Sequence, residues 1–460
     1  MSTGFVMQTI WAEQALVGDR WAEAVSVVVD DSGRIALVTE HASPAGVRVG
    51  VLLPAPVNLH SHAFQRAMAG LTERRGPSGR DSFWTWRQLM YRFLDALTPE
   101  HAEAIAAFVQ MEMLEAGYAA VAEFHYLHHR PDGAPYGDLG EMSARMAAAA
   151  AQTGIGLTLL PVLYEQAGCA GGPLGPGQVR FGNDLDRFAR LLGRANELVG
   201  ALGADASVGV APHSLRAVSP PALAAAVVLA DGRPVHMHIA EQVAEVDEVM
   251  AAYGKRPVEW LLANHEIDQT WCLVHCTQMT ADETAGLVRS GAVAGLCPIT
   301  ESSLGDGIFN GVDYLARGGR FGVGSDSNIR IALSEELRTL EYTQRLQHRG
   351  RNMLVTDGRS TGRSLFEAAV AGGAQSVQRK SGRIAPGCWA DLLALDTTAV
   401  DLEGRRGDSL LDSFIFAGDD RLVGELWSAG RHVVRGGRHI HRDAIVGRYR
   451  RTLHGLRDLL

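Results

Sequence analysis

Short apolar runs, bounded by Gly, Pro or polar residues, alternate along the chain with longer Ala-, Leu- and Glu-rich stretches of helical spacing. From residue 51 onward the runs are VLLPAPVNLH (51–60), AAVAEFH (119–125), GLTLLPVLY (156–164), SVGVAPHS (207–214), PVHMHIAE (234–241), WCLVHC (271–276), AVAGLCP (292–298) and RFGVGSD (320–326). Continuous apolar runs of this length, regularly separated by helical patterns, suit parallel strands joined by crossover helices. HAEAIAAFVQMEMLEAG (101–117) and EMSARMAAAAAQTG (141–154) are two such helical stretches. Eight strand–helix units are the number that closes an α/β barrel of the (β/α)8 TIM type. An open doubly wound sheet is the alternative, but no Gly-rich phosphate turn follows the first strand. The ends break the pattern. AVSVVVDDSGRIALV (24–38) reads as two short strands around an Asp-Ser-Gly turn, and GCWADLLALD (387–396) and GELWSAGRHVVRGGRHI (424–440) are again β-rich. Residues 1–52 and 375–460 are therefore expected to pair into a small discontinuous β-sandwich beside a catalytic barrel spanning 53–374.

Composition narrows the partners. The 460 residues are 46% hydrophobic and 21% charged, as in a folded globular chain, and the net charge of −9 weighs against nucleic acid, which needs a concentrated basic surface. No run approaches the roughly 18 consecutive apolar residues of a membrane span. The first residues lack a basic start followed by an apolar run, which predicts no secretory signal. Five scattered cysteines with no CxxC pair (Cys169, Cys272, Cys276, Cys297, Cys388) predict reduced thiols in a cytoplasmic protein, with Cys272 and Cys276 as packing residues. The expected partner is a small molecule, with no nucleic acid and no membrane.

The strand ends carry the chemistry. In a strand, residues two apart share a face, so His60 and His62 point the same way from the end of the first barrel strand. The fifth strand ends in His238-Ile-Ala-Glu241, the sixth in Val-His275-Cys and the eighth in Gly-Ser-Asp326. Packing gives no reason to bring polar residues repeatedly to one barrel face, because each buried one costs a few kcal/mol without a partner. A shared divalent cation supplies that partner, and imidazole with carboxylate suits Zn2+, with Fe2+ as competitor. His236 shares the face of His238 but one layer deeper, and is read as a hydrogen-bonded interior histidine. His125, His128 and His129 lack a carboxylate at ligand spacing and are read as solvated or substrate-contacting loop residues.

His60-x-His62, His238 with Glu241, His275 and Asp326, in this order, resemble the amidohydrolase superfamily. No lysine stands in APHSL (211–215), where two-metal members usually carry one, so the resemblance implies a site for a single metal. PVNLHSHAFQRAMAGLTE (56–73), SFWTWRQLMYRF (82–93), AEFHYLHH (122–129), APHSLRAV (211–218), HMHIAEQ (236–242) and GVGSDSNI (322–329) are similar to the deiminase branch that acts in histidine degradation. That resemblance runs over essentially the whole chain. It implies hydrolysis of N-formimidoyl-L-glutamate to N-formyl-L-glutamate and ammonia. It makes His60, His62, His238 and Asp326 the ligands of one divalent metal per subunit. Catalysis falls to Glu241 as general acid–base, His275 as an electrostatic stabiliser and Asp326 as acceptor of the water proton. The two substrate carboxylates imply Arg87 and Arg216 as binding residues, with Gln65, Tyr126 and His213 completing the pocket. It also implies a homodimer. Two readings compete: a deaminase of the same superfamily acting on guanine or a related ring amine, and a barrel that acts only as a scaffold. The Gly- and Pro-containing segment 74–82 is a candidate cover for the site.

Overall fold

The computed structural model describes residues 7–73, 83–355 and 358–457, so the candidate cover 74–82 lies outside the described residues. In chain order the strands are β1 (Gln8–Val17), β2 (Arg20–Val29), β3 (Ile35–Thr39), β4 (Val47–Pro54), β5 (Val57–Ser61), β6 (Ala120–His125), β7 (Gly156–Leu163), β8 (Ser207–Val208) and β9 (Ala211–Pro212). They continue as β10 (Val235–Ile239), β11 (Trp271–His275), β12 (Val293–Leu296), β13 (Arg320–Val323), β14 (Leu392–Leu395), β15 (Val423–Ser428), β16 (Arg431–Arg435) and β17 (Arg438–His439).

Strands β5 to β9 pair in parallel, as do β10 to β13. Parallel bridges at Val210/Val235 and Ser61/Asp326 join the two groups at both seams. At the second seam the Asp326 N–H donates to the His60 carbonyl and the His62 N–H to the Asp326 carbonyl, both at 2.9 Å. The result is a (β/α)8 barrel in which β5, β6, β7, β10 and β11 are buried on both faces, as their mostly apolar sequences suit. Helices start where the sequence offers caps: Thr98, Ser219, Thr280 and Ser360 each accept a hydrogen bond from a first-turn N–H. No helix among the described residues is long and apolar enough to cross a membrane.

Two predicted strands differ in detail. The run 51–60 is two strands, because Ala55–Pro56 passes the chain from β4, paired with β1 and β14, to β5, paired with β6. Residues 51–61 are buried without a break, so periodicity cannot mark the handover. The run 207–214 is likewise split, with the Gly209 N–H bonded back to Leu159 and the Val210 N–H forward to Pro234.

The two β-rich ends meet at the antiparallel pair β4/β14 and share one eight-stranded sheet, in the order β17-β16-β15-β14-β4-β1-β2-β3. The Ile35 N–H donates to the Cys388 carbonyl and the Gly387 N–H to that of Ile35, which draws β3 back toward the segment before β14. This curls the sheet around a small core of its own, including Ile10, Val25, Val27, Leu52, Leu392 and Trp427.

Candidate active site

His60 and His62 leave the end of β5, His238 the end of β10, and Asp326 follows β13. The three Nε2 atoms lie 3.1–3.3 Å from one another, and Asp326 Oδ1 is 3.5 Å from His60 Nε2 and 3.2 Å from His62 Nε2. His62 Nδ1 faces the Phe124 carbonyl and His238 Nδ1 the His213 carbonyl, each at 3.1 Å. A carbonyl can only accept, so both Nδ1 atoms carry the proton and both Nε2 atoms present lone pairs. Burial pushes His60 down to about 3 and His238 well below its ordinary value, so these imidazoles are neutral. Lone pairs and a carboxylate oxygen converging at such spacing repel one another unless a cation lies among them. The donor set, three imidazoles and one carboxylate, fits a divalent ion such as zinc or ferrous iron.

Buried polar contacts fix this seat. Asn58 Nδ2 donates to Ser325 Oγ at 2.7 Å, Ser325 Oγ to Asn328 Oδ1 at 2.6 Å, and Asn328 Nδ2 to Ser61 Oγ at 3.1 Å. This chain of bonds locks the β5/β13 seam that carries three of the four donors. Ala240, His275, Cys276, Asp326 and Asn328 all have positive φ (46–72°) at the ends of their strands. Left-handed backbone in non-glycine residues costs about 1–3 kcal/mol each and clusters at functional sites. Here it falls at the ends of the three strands that carry His238, His275 and Asp326. Glu123, below His62, accepts the Ala63 N–H at 2.7 Å, and burial raises its carboxyl to about 7.

Beside the seat lies a buried carboxyl. Glu241 Oε1 is 3.7 Å from His275 Nε2, and Glu241 Oε2 is 3.7 Å from Arg216 Nη2. Burial raises the Glu241 carboxyl above its ordinary value even against these two neighbours, so it can hold a proton. Glu245 accepts the Ala240 and Glu241 N–H groups, both at 3.1 Å, and so fixes the turn that aims Glu241. Burial disfavours charge on His275, yet Glu241, Glu301 and Asp326 raise it to about 10, which keeps it cationic. Its Nδ1 is 3.3 Å from Glu301 Oε1, which also accepts the Cys297 N–H at 2.8 Å. The His275–Cys297–Glu301 group thus orients an imidazole already engaged by its carboxylate.

The predicted substrate residues line the same cleft, about 560 Å³ including its open mouth: Gln65, Arg87, Tyr126, His213 and Arg216 stand around His62, His238, Glu241, His275 and Asp326. Gln65 Nε2 donates to the Tyr126 hydroxyl at 2.7 Å, and Arg87 Nη2 to that of Tyr164 at 2.8 Å. His236 lies deeper, 2.7 Å from the Ser376 carbonyl, as an interior histidine does. The reading of His125, His128 and His129 as solvated or substrate-contacting is corrected. All three are buried and line no part of the cleft, His125 alternating outward from Phe124, while His128 and His129 bond to the Val162 and Gly182 carbonyls. All five cysteines are free and buried. Sequence reasoning missed Glu245, Glu301, Asn58, Asn328 and Tyr164. Only Glu245, four residues beyond Glu241, carried a local signal.

The fold and this constellation define a metal-dependent hydrolase, and the chain belongs to the amidohydrolase family, which it matches over residues 51–433. Within that family it is 49% identical over 458 residues to formimidoylglutamate deiminase of Pseudomonas aeruginosa, covering 98% of this chain and 100% of that protein. The 8-oxoguanine deaminase of the same organism is 27% identical over 417 residues, 88% of this chain and 87% of that one. A crystal structure of an amidohydrolase from Brucella melitensis superposes with a TM-score of 0.93 at 47% identity, over 98% of this chain and 99% of the other. An adenosine deaminase from Xanthomonas campestris, solved with bound zinc, shares the fold with a TM-score of 0.82 at 21% identity, over 98% of each chain.

Proposed function

We propose that the protein hydrolyses N-formimidoyl-L-glutamate to N-formyl-L-glutamate and ammonia, a step of histidine degradation. One divalent cation per subunit serves it, zinc in preference to ferrous iron. The observation that carries this reading is the presence of two arginines and the Glu241 carboxyl in one cleft with the three-histidine, one-aspartate seat, in a chain 49% identical to a deiminase of that name. Residues 53–374 form the catalytic barrel and 1–52 with 375–460 the small β domain of a cytoplasmic homodimer.

His60, His62, His238 and Asp326 would hold the cation, which when bound lowers the pKa of a water to about 7 and makes a nucleophile available near neutrality. Asp326 accepts the proton of the attacking water on its carboxylate. Glu241 delivers one proton to the amidine nitrogen and the proton taken up by Asp326 supplies the second, so that the carbon–nitrogen bond breaks with ammonia as leaving group and the adduct's hydroxyl proton returns to Glu241. Cationic His275 faces the negative charge that develops on the attacking oxygen. Arg87 and Arg216 take the two substrate carboxylates, with Gln65, Tyr126 and His213 hydrogen-bonding around them. A ring amine such as guanine has no carboxylate for these arginines, which disfavours the competing deaminase reading.

The test is ammonia release from N-formimidoyl-L-glutamate, with guanine alongside, by protein of measured metal content. Release from the first substrate alone, lost on chelation and restored by zinc, is the expected result. A fully metallated protein inert toward it would discard the substrate.

A further inference from the structure

The geometry points to Tyr164 as a further substrate-carboxylate ligand, a specificity-determining hydroxyl whose one hydrogen is forced toward the anion that Arg87 and Arg216 attract. This rests on the substrate reading above. Tyr164 immediately follows β7, is buried, and lines the cleft with its ring edge-on to His213, 4.7 Å between centroids. Its oxygen lies 2.8 Å from Arg87 Nη2 and 2.8 Å from Gln178 Nε2.

The donor assignments follow from hydrogen accounting. A guanidinium can only donate, so Tyr164 accepts from Arg87. Gln178 Oε1 accepts the Gly175 backbone N–H at 2.9 Å, which fixes the amide so that Nε2 is the end facing Tyr164. That nitrogen also donates. A phenol oxygen has two lone pairs and one hydrogen. Both lone pairs are filled, and no acceptor for the hydroxyl hydrogen is found among the described residues. A buried donor without a partner is costly. The cleft, with Arg87 and Arg216 around it, is where an anionic acceptor arrives. Gln178 does not line the cleft and acts through Tyr164, as a positioning residue.

The test compares wild type and Tyr164→Phe on three substrates: N-formimidoyl-L-glutamate, the 4-aminobutyrate derivative lacking the α-carboxylate, and the 2-aminobutyrate derivative lacking the side-chain carboxylate. Phenylalanine keeps the ring packing. We expect kcat/KM on the full substrate to fall about 10- to 100-fold, mostly through KM, as for a lost charge-assisted hydrogen bond. The same loss should persist on one truncated substrate and shrink to about twofold or less on the other, the one lacking the contacted carboxylate. An equal loss on all three, or none on the full substrate, overturns the proposal. Inhibition constants give the same comparison where a truncated substrate turns over too slowly to follow. Gln178→Leu frees one lone pair and should reproduce the pattern at about threefold; it carries the test if Tyr164→Phe loses metal or melts early. Failure of wild type on the full substrate would instead strike the substrate reading itself, a separate outcome.

Discussion

Glu241 has a cation-bearing group on each side, His275 and Arg216, both 3.7 Å away, yet burial still shifts its carboxyl above the ordinary value. Such a carboxyl suits proton delivery and is poorly suited to ligation, and it is not among the four converging donors. Glu241→Gln keeps the shape and removes the exchangeable proton. Ammonia release should therefore drop about 10²- to 10⁴-fold in kcat, the range of a lost general acid–base, while metal content stays at wild-type level. Loss of metal together with activity would instead make Glu241 part of the seat. At this scale the sequence was legible where side chains sit at strand ends: His60, His62, His238, Glu241, His275 and Asp326 all come together. Groups supplied by distant segments were not. Nothing near Glu301 announces His275, and Asn58 meets Ser325, and Ser61 meets Asn328, only because β5 closes against β13.

Elements were legible to the extent that burial has a period. The strands of the barrel were countable, but β4 and β5 read as one because residues 51–61 are buried without a break. Helix ends depend on contacts that sequence cannot supply when the cap comes from elsewhere. Helix Leu333–His348 begins after Ala332, which offers no side-chain acceptor, and Asp420 from the C-terminal segment accepts the Ser334 N–H at 3.0 Å instead. Burial raises Asp420 to about 6, although the Ser334 N–H pulls the other way. With a folded pKa above the unfolded one, the native state binds the proton more tightly. The stability this contributes is complete below about pH 4 and is lost as pH rises through about 6, on the order of 2–3 kcal/mol for a half-buried group. Asp420→Asn still accepts the N–H but cannot ionise. Its melting temperature relative to wild type should rise between pH 4 and pH 7. A constant difference across that range would show that Asp420 does not titrate there.

On the scale of the whole molecule, barrel and terminal sheet are joined at the face opposite the active site by a buried ion network. Arg379 donates to both oxygens of Asp391, at 2.6 and 2.9 Å, and its Nη2 is 3.5 Å from Asp205 Oδ2. Arg431 of β16 reaches the other side of Asp205 at 3.0 and 2.5 Å, and the Gly154 carbonyl at 3.0 Å. Asp205 and Gly154 stand before β8 and β7, at the barrel's N-terminal end, the face of a barrel that serves stability and not chemistry. The β character of the two ends was legible in their turns, but this junction was not, since its four charges are scattered over more than two hundred residues. Side-chain exposure is 5% for Arg379 and 1% for Asp391, so Arg379→Met would leave Asp391 charged, buried and short of its main partner. Breaking a buried pair on one side costs about 3–5 kcal/mol. The melting temperature should therefore fall sharply while metal content and kcat of the folded fraction are retained. Arg438→Met is the control: its pair with Asp443 also lies within hydrogen-bond distance, at 3.0 Å, but both side chains are exposed, and solvent screening leaves little to lose. Equal shifts in the two variants would mean that the network contributes no more than a surface pair, and that the junction rests on apolar packing alone.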